Sequence, residues 1–372
     1  MRKAAIITGI TGQDGSYLAE DLLEQGIQVF GGIRRSASSP SNLERIVHLV
    51  HNPDLTLLHF DMMDACSVEK FVSNVHDKIH HFIGLGNYVE VYNLAAQSHV
   101  GDSFRIPTVT HQVNALGVIT LLESLRIHFK DNFRFYQAST SELYGNVKAS
   151  YITNSYKVVG ITENFPFNPE SPYAIAKLAA HLTVKNYREA YGIHAVNGIL
   201  FNHESPRRGV DFVTRKITRY VAQYALNRVP AHVPLQLGNL DAERDWGDAR
   251  EYVTAMQLMV NEADDKKIMD YNVATGRMTS VRSFVEQAFN KIGITIDWTG
   301  HGMEEKGHNN IGHEEVLVEV NPELFRPKDV LCLLGNCNTI KTNLNWRPTI
   351  NIKELISDMV ENDLELAKKE KV

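Results

Sequence analysis

The chain has 372 residues, 43% hydrophobic and 22% charged, with a formal net charge of −6, which excludes disordered and collagen-like classes and allows two domains or one large α/β domain with a lobe. The acidic balance argues against a nucleic-acid partner, and three cysteines (Cys66, Cys332, Cys337) are too few for a disulfide framework. No apolar run suits a signal peptide or a membrane span, so no membrane partner is expected and the cytoplasm is the expected compartment.

The first half alternates short β-branched runs with longer amphipathic stretches. Strands are predicted at Lys3–Thr8, Gln28–Ile33, Leu55–Phe60, Glu90–Asn93, Arg134–Ala138 and His194–Leu200. Helices are predicted at Ser16–Gln25, Asn42–Val50, Ser67–Lys78, Val109–Phe129 and Pro172–Tyr191. This rhythm implies right-handed crossovers and a doubly wound parallel sheet of Rossmann type, an α/β fold. Beyond about Phe201 the pattern is less regular, with helices near Phe212–Leu226, Val281–Ile292 and Ile352–Lys369. Residues 1–200 therefore read as a dinucleotide-binding domain and 201–372 mainly as a smaller C-terminal α/β lobe, with segments interleaved between them. The 16 histidines are scattered, with no HExxH or paired Cys/His spacing, and no metal is expected.

Gly9-Ile-Thr11-Gly12-Gln13-Asp14-Gly15 follows the first strand and opens a helix, where glycines let backbone N–H groups approach a pyrophosphate. The spacing is GxxGxxG rather than GxGxxG, so position at the first βα junction carries the reading. The second strand ends in Arg34-Arg35-Ser36, where an NAD site would carry an acid to hold the ribose 2′-hydroxyl. Two guanidiniums and a hydroxyl suit a 2′-phosphate, which selects NADP; the alternative is an exposed basic turn. Asp61, followed by Met62 after the third strand, reads as an adenine contact or as a simple turn residue.

Tyr173 and Lys177 stand at i and i+4 near the start of a helix signalled by Ser171-Pro172, so both face one side. An ammonium beside a phenol is expected to lower its pKa toward neutrality, making Tyr173 a base for a substrate hydroxyl. Tyr144 and Lys148 share the spacing but lie in a loop. The fifth strand delivers Ser139-Thr140-Ser141-Glu142 to the same end of the sheet. Thr140 is placed to donate to a substrate oxygen, and Glu142 points the same way if the chain stays extended. Glu142 then reads as a general acid/base, or as an ion-pair partner or cap.

With these residues in place, the chain resembles the extended short-chain dehydrogenase/reductases and, within them, the GDP-mannose 4,6-dehydratase family. The resemblance rests on Gly9–Leu18, Val91-Tyr-Asn-Leu-Ala-Ala-Gln-Ser-His-Val100, Tyr136–Gly145, Asn197-Gly-Ile-Leu-Phe-Asn-His-Glu-Ser-Pro-Arg-Arg208, Phe212–Ile217, Leu237–Asp241 and Arg244-Asp-Trp-Gly247. It implies a substrate, GDP-mannose, and a cycle in which Tyr173, tuned by Lys177, deprotonates the mannose 4-hydroxyl as C4 gives hydride to NADP. Glu142 then removes the C5 proton, water leaves C6 with help from Glu142 and Thr140, and hydride returns to C6. By the same resemblance Leu94, Ala95, Ala96, Gln97, Ser98, His203 and Arg208 border the cofactor. Ser98, Asn202, Lys216, Leu237, Gly238, Arg244, Arg326 and Asp329 are implied at the nucleotide sugar, although Asn202 also reads as a turn residue and Arg244 as a partner of Asp245. The Arg34–Asn42 segment resembles an arm that reaches a neighbouring subunit, implying a homotetramer built from dimers packed through the 109–129 and 172–191 helices.

Four features depart from the family pattern: a longer Gly145–Thr162 connection, Glu170 in place of Arg, Val109 in place of Tyr, and Asp329 in place of Glu. None removes a reacting group. Alternatives within the same scaffold are a bifunctional enzyme that also reduces the 4-keto product with NADPH, and a sugar-nucleotide 4-epimerase, which has no need of Glu142. A non-catalytic NADP-binding regulator would be expected to lose Tyr173 or Lys177, and both are present.

Overall fold

A computed structural model describes residues 3–34, 40–83, 87–147, 153–154, 157–158, 160–230, 233–311, 315–324 and 332–370. Strands β1 (Ala4–Thr8), β2 (Gln28–Ile33), β3 (Leu55–His59), β4 (Val89–Asn93) and β5 (Phe133–Ala138) join His194–Leu200 and Tyr271–Val273 in a seven-stranded sheet. The order is β3-β2-β1-β4-β5, then 194–200 and 271–273, with every neighbouring pair parallel. β1 and β4 are buried along their whole length, as strands covered on both faces must be. The strand order reverses between β1 and β4, and the crevice opened there at the C-terminal ends is where such sheets bind ligands.

The expected strands and most helices are present within a few residues, starting with α1 (Gln13–Glu24) and α2 (Ala65–Ile79). Residues Pro40–Leu49 form a 3₁₀ helix. The expected continuous 109–129 helix is interrupted: Pro107–His111 passes through a π turn, Gln112–Leu116, into Gly117–Phe129. The wider turn carries buried Asn114, whose amide bonds both backbone groups of Gln97 in place of an apolar contact.

The second half returns to the main sheet more fully than its irregular pattern suggests. Helix Ala249–Asn261, absent from the sequence reading, buries Tyr252, Val253, Met256, Met259 and Val260 and packs on α1, β5 and the 194–200 strand. Asp248 caps it by accepting from Arg250 N. The remaining lobe sets helices Val213–Ala225, Val281–Asn290 and Ile352–Lys369 around a four-stranded sheet ordered 235–237, 316–320, 306–309, 296–299. Its separate core includes Ile217, Val221, Phe284, Phe289, Val318 and Met359. Buried Asp363 accepts two Arg215 Nε contacts at 2.9 Å and the Thr218 hydroxyl at 2.7 Å, clamping the C-terminal helix to the 213–225 helix. Among the described residues no helix is long and apolar enough to cross a membrane.

Candidate active site

The turn after β1 is closed to any side chain larger than hydrogen at two points. Gly9 has φ +70, and a Cβ there would stand 2.8 Å from Ala95 N; at Gly15 it would stand 2.4 Å from Gly9 O. Gly12 caps α1 without a side-chain bond, leaving first-turn N–H groups for a ligand. The Thr8 hydroxyl accepts from Leu94 N and Ala95 N at 3.1 Å each and donates to Asn93 Oδ1 at 2.6 Å, tying the loop after β4 to the glycine turn. Asn93 Nδ2 donates on to Gln137 Oε1 at 2.8 Å, so β1, β4 and β5 are linked side by side at the ligand end. These features fit a dinucleotide: a close backbone cradle, an uncapped helix N-terminus, and rigid strand ends around it.

Asp14, in the first turn of α1, would repel a pyrophosphate if its charge stood alone. It does not: His203 Nε2 lies 2.9 Å from Asp14 Oδ2, and His203 Nδ1 2.9 Å from Phe201 O. Both ring nitrogens face acceptors, so the imidazolium is the form that satisfies both. Burial pulls the His203 pKa down, but the Asp14 charge and bond outweigh it and leave it raised. Burial likewise opposes ionisation of Asp14, yet the His203 charge and bond, the Gln13 bond and the Arg208 charge hold its pKa below normal. The His203 ring stacks on Tyr252 with centroids 4.6 Å apart. Arg208 pairs with Glu204 at 3.0 Å and lies 3.7 Å above the Phe212 ring.

The end of β5 carries two of the expected catalytic residues, Thr140 and Glu142. The chain does not stay extended there, as the sequence reading required for Thr140 and Glu142 to share a side. Thr140 accepts from Glu142 N at 3.2 Å and caps a 3₁₀ turn, Ser141–Tyr144, and this turn brings the carboxylate back toward the helix. Ser171 accepts from Ala174 N at 3.1 Å and starts the Pro172–Tyr191 helix as expected, with Tyr173 and Lys177 buried on its inner face. The predicted effect of Lys177 on Tyr173 differs from what is found. Lys177 Nζ donates to Ala138 O at 2.9 Å and lies 5.9 Å from the Tyr173 ring centroid. Burial pushes the Tyr173 phenol up to about 12; the Thr140 bond and the Arg208 charge oppose this, and the Glu142 charge adds to it. Burial also draws Lys177 down to about 8. Tyr144, the competing motif tyrosine, is a core residue donating to Asn272 Oδ1 at 2.9 Å, and Lys148 lies outside the described residues.

Toward the lobe, Asn202 O accepts from Gly247 N at 2.9 Å, and Arg244 NH1 donates to Glu243 O at 2.9 Å on a nine-tenths-buried side chain. Asp245 accepts instead from the Thr275–Gly276 turn and Gly335 N, fixing the strand that carries Arg244. Lys216 is half-buried, which lowers its pKa, and Leu237 is buried beside Gly238. Asp61 Oδ1 accepts from Met63 N at 3.0 Å, consistent with its turn reading. Arg34 is exposed at the end of β2; Arg35, Ser36, Arg326 and Asp329 lie outside the described residues. Sequence reasoning missed Asn114, whose signal was an asparagine inside an apolar helical pattern. It also missed Arg45, which donates to Arg207 O at 2.8 Å and Thr11 O at 3.3 Å and carried no local signal.

A parallel sheet with this order, a glycine turn at its first βα junction and a Tyr-x-x-x-Lys helix against β5 define an extended short-chain dehydrogenase/reductase. Comparison narrows the class. A family model described as GDP-mannose 4,6 dehydratase matches residues 6–359. "GDP-mannose 4,6 dehydratase 2" of Caenorhabditis elegans is 46% identical over 98% of this chain and 90% of its own length. "GDP-mannose 4,6-dehydratase" of Sinorhizobium fredii is 46% identical over 98% of this chain and 97% of its own. The chain belongs to the GDP-mannose 4,6-dehydratase family. The fold is shared with RMD from Pseudomonas aeruginosa, solved with NADPH, at TM-score 0.70 and 20% identity over 98% of this chain and 99% of that one.

Proposed function

We propose that the protein is a hydro-lyase that converts GDP-mannose to GDP-4-dehydro-6-deoxy-D-mannose with bound NADP. The observation that carries this reading is the Thr140-capped turn, which adds a carboxylate, Glu142, to a Tyr/Lys pair that would suffice for plain oxidoreduction. The glycine turn and the uncapped α1 N-terminus would hold the pyrophosphate, with the Asp14 charge offset by His203, and Arg34 with Arg35 and Ser36 would hold the 2′-phosphate.

Bound NADP supplies the hydride acceptor for C4 at the start and the donor for C6 at the end, so it is neither consumed nor produced. Tyr173 accepts the proton of the mannose 4-hydroxyl. Because burial holds its phenol near 12, the deprotonated form has to be stabilised within the assembled site, by the Thr140 hydroxyl, Arg208 and the cationic form of Lys177. The resulting 4-keto group acidifies C5–H, and Glu142 removes that proton. Glu142 then returns it to the C6 hydroxyl, with Thr140 donating to the same oxygen, and water departs; as C6 is reduced C5 regains a proton, matching the one that Tyr173 took from the 4-hydroxyl, so both side chains end as they began. Arg244 and Lys216, with Arg326, are the cations we assign to the diphosphate, and Asp329 to a ribose hydroxyl.

We assign residues 1–200 mainly to cofactor binding and 201–372 mainly to the nucleotide sugar, with 249–261 and 271–273 returning to the first domain. The assembly we propose is a cytoplasmic homotetramer of dimers. Exposed Leu116, Ile119 and Ile127 near one helix and Ile175, Leu182 and Tyr191 on the other support a helix-paired dimer. The function is tested by incubating the protein with GDP-mannose alone. A 4-keto-6-deoxy product by NMR with no net nicotinamide absorbance change supports it, and stoichiometric NADPH formation refutes it.

A further inference from the structure

Behind the reacting groups lies a second buried constellation. Ser139, the residue between β5 and Thr140, has its Oγ 3.2 Å from His181 Nδ1. His181 Nε2 lies 3.4 Å from Asp270 Oδ2. Asp270 is itself held by Arg188 at 2.8 and 3.2 Å and by Asn197 N and Nδ2 at 3.0 Å each. An ionised carboxylate accepts only, so Nε2 carries the ring proton and Nδ1 accepts from the Ser139 hydroxyl. Burial lowers the His181 pKa against the pull of Asp270, which agrees with a neutral ring. The order Ser–His–Asp is that of a hydrolase triad, but the serine is 4% and the histidine 3% exposed, so no substrate carbonyl reaches them.

The placement suits another task. Tyr173, Lys177 and His181 recur every fourth residue on one helical face. Against them lie three consecutive residues at the end of β5: Ala138 O accepts from Lys177, Ser139 donates to His181, and Thr140 lies beside the Tyr173 phenol and opposes its rise in pKa. Thr140 in turn caps the turn that brings in Glu142. We infer that His181 is a positioning residue: through Ser139 it fixes the end of β5, and so the approach of Thr140 and Glu142 to the sugar. Asp270 orients the ring, and the Phe167 ring, 5.1 Å away and edge-on, confines it. This inference rests on the proposed dehydration, in which Thr140 and Glu142 act at C5 and C6.

An amide variant series separates positioning from mere packing. In His181→Asn the amide oxygen takes the place of Nδ1 and still accepts from Ser139; in His181→Gln the amide reaches the place of Nε2 and keeps only the Asp270 contact. Ser139→Ala removes the donor with the smallest possible change and guards against loss of fold. The expected result is a kcat reduced about tenfold in Ser139→Ala and His181→Gln, with KM for GDP-mannose within about twofold of wild type. His181→Asn should recover kcat to within about threefold, and Ser139→Ala combined with His181→Gln should be no slower than either alone. Wild-type turnover in Ser139→Ala, or activity retained in His181→Gln and lost in His181→Asn, overturns the inference. Failure of the wild-type protein to make the 4-keto-6-deoxy product would instead strike the proposed function.

Discussion

Replacing Asp14 by asparagine tests whether the first turn of α1 is electrostatically balanced by a residue 189 positions away. The Asp14 and His203 side chains are 17% and 11% exposed, and both His203 nitrogens face acceptors. The neutral amide would leave the imidazolium without a counter-charge, and the ring would shed a proton and one charge-assisted bond. Such a bond contributes about 2 kcal/mol. For a chain of this length that corresponds to a fall in Tm of about 3 °C. The pH dependence has a definite sign. Asp14, with its pKa lowered from 3.8, contributes stability that is full above that value and lost as pH falls through the lowered one. His203, raised from 6.5, contributes stability that is full below that value and lost as pH rises through the raised one. Thermal melts of wild type and Asp14→Asn should therefore differ most between the ordinary carboxylate and imidazole values of 3.8 and 6.5 and converge as pH rises through the raised His203 value. A gap that does not change with pH would assign the effect to packing, and no gap at all would show that the pair contributes nothing to stability.

Other outcomes follow from the same geometry. Lys177, drawn down to about 8 by burial, loses its proton as pH rises, so kcat should fall through about pH 8. Lys177→Arg, which keeps its charge, should remove that alkaline limb even if overall activity drops; an unchanged limb would assign it to another group. Glu142→Gln should lower product formation by at least about a hundredfold while calorimetry finds GDP-mannose binding nearly unchanged, and near-normal turnover would leave Glu142 a structural cap. Asp363→Ala strands the Arg215 guanidinium, 6% exposed, inside the lobe. It should cost about 3–5 kcal/mol in urea unfolding, and a loss below about 1 kcal/mol would contradict the clamp.

Strand and helix positions in the first half are legible because the signals are local: β-branched runs at 28–33 and 194–200, and Ser171-Pro172 opening a helix. The Ala249–Asn261 helix has the right apolar period and an Asp cap, and is lost when the second half is read as irregular. The three-residue strand Tyr271–Val273 exists through its pairing with 198–200, which no local pattern announces. In the site, residue types and order are readable, but their couplings are not. Asp14 with His203, Arg45 with Thr11 O and His181 with Asp270 join distant segments. The height of the Tyr173 pKa depends on burial, which spacing on a helix does not reveal. Thr140 and Glu142 are grouped on the sequence through an extended strand, whereas a capped 3₁₀ turn follows Thr140 in the structure.

In the proposed cycle one site oxidises C4, eliminates water across C5 and C6, and returns the same hydride to C6. Incubation with GDP-mannose deuterated at C4 tests it most directly. The label is predicted to appear at C6 of the 4-keto-6-deoxy product. A product with protium at C6 and the label lost, or one that still carries the label at C4, would contradict it.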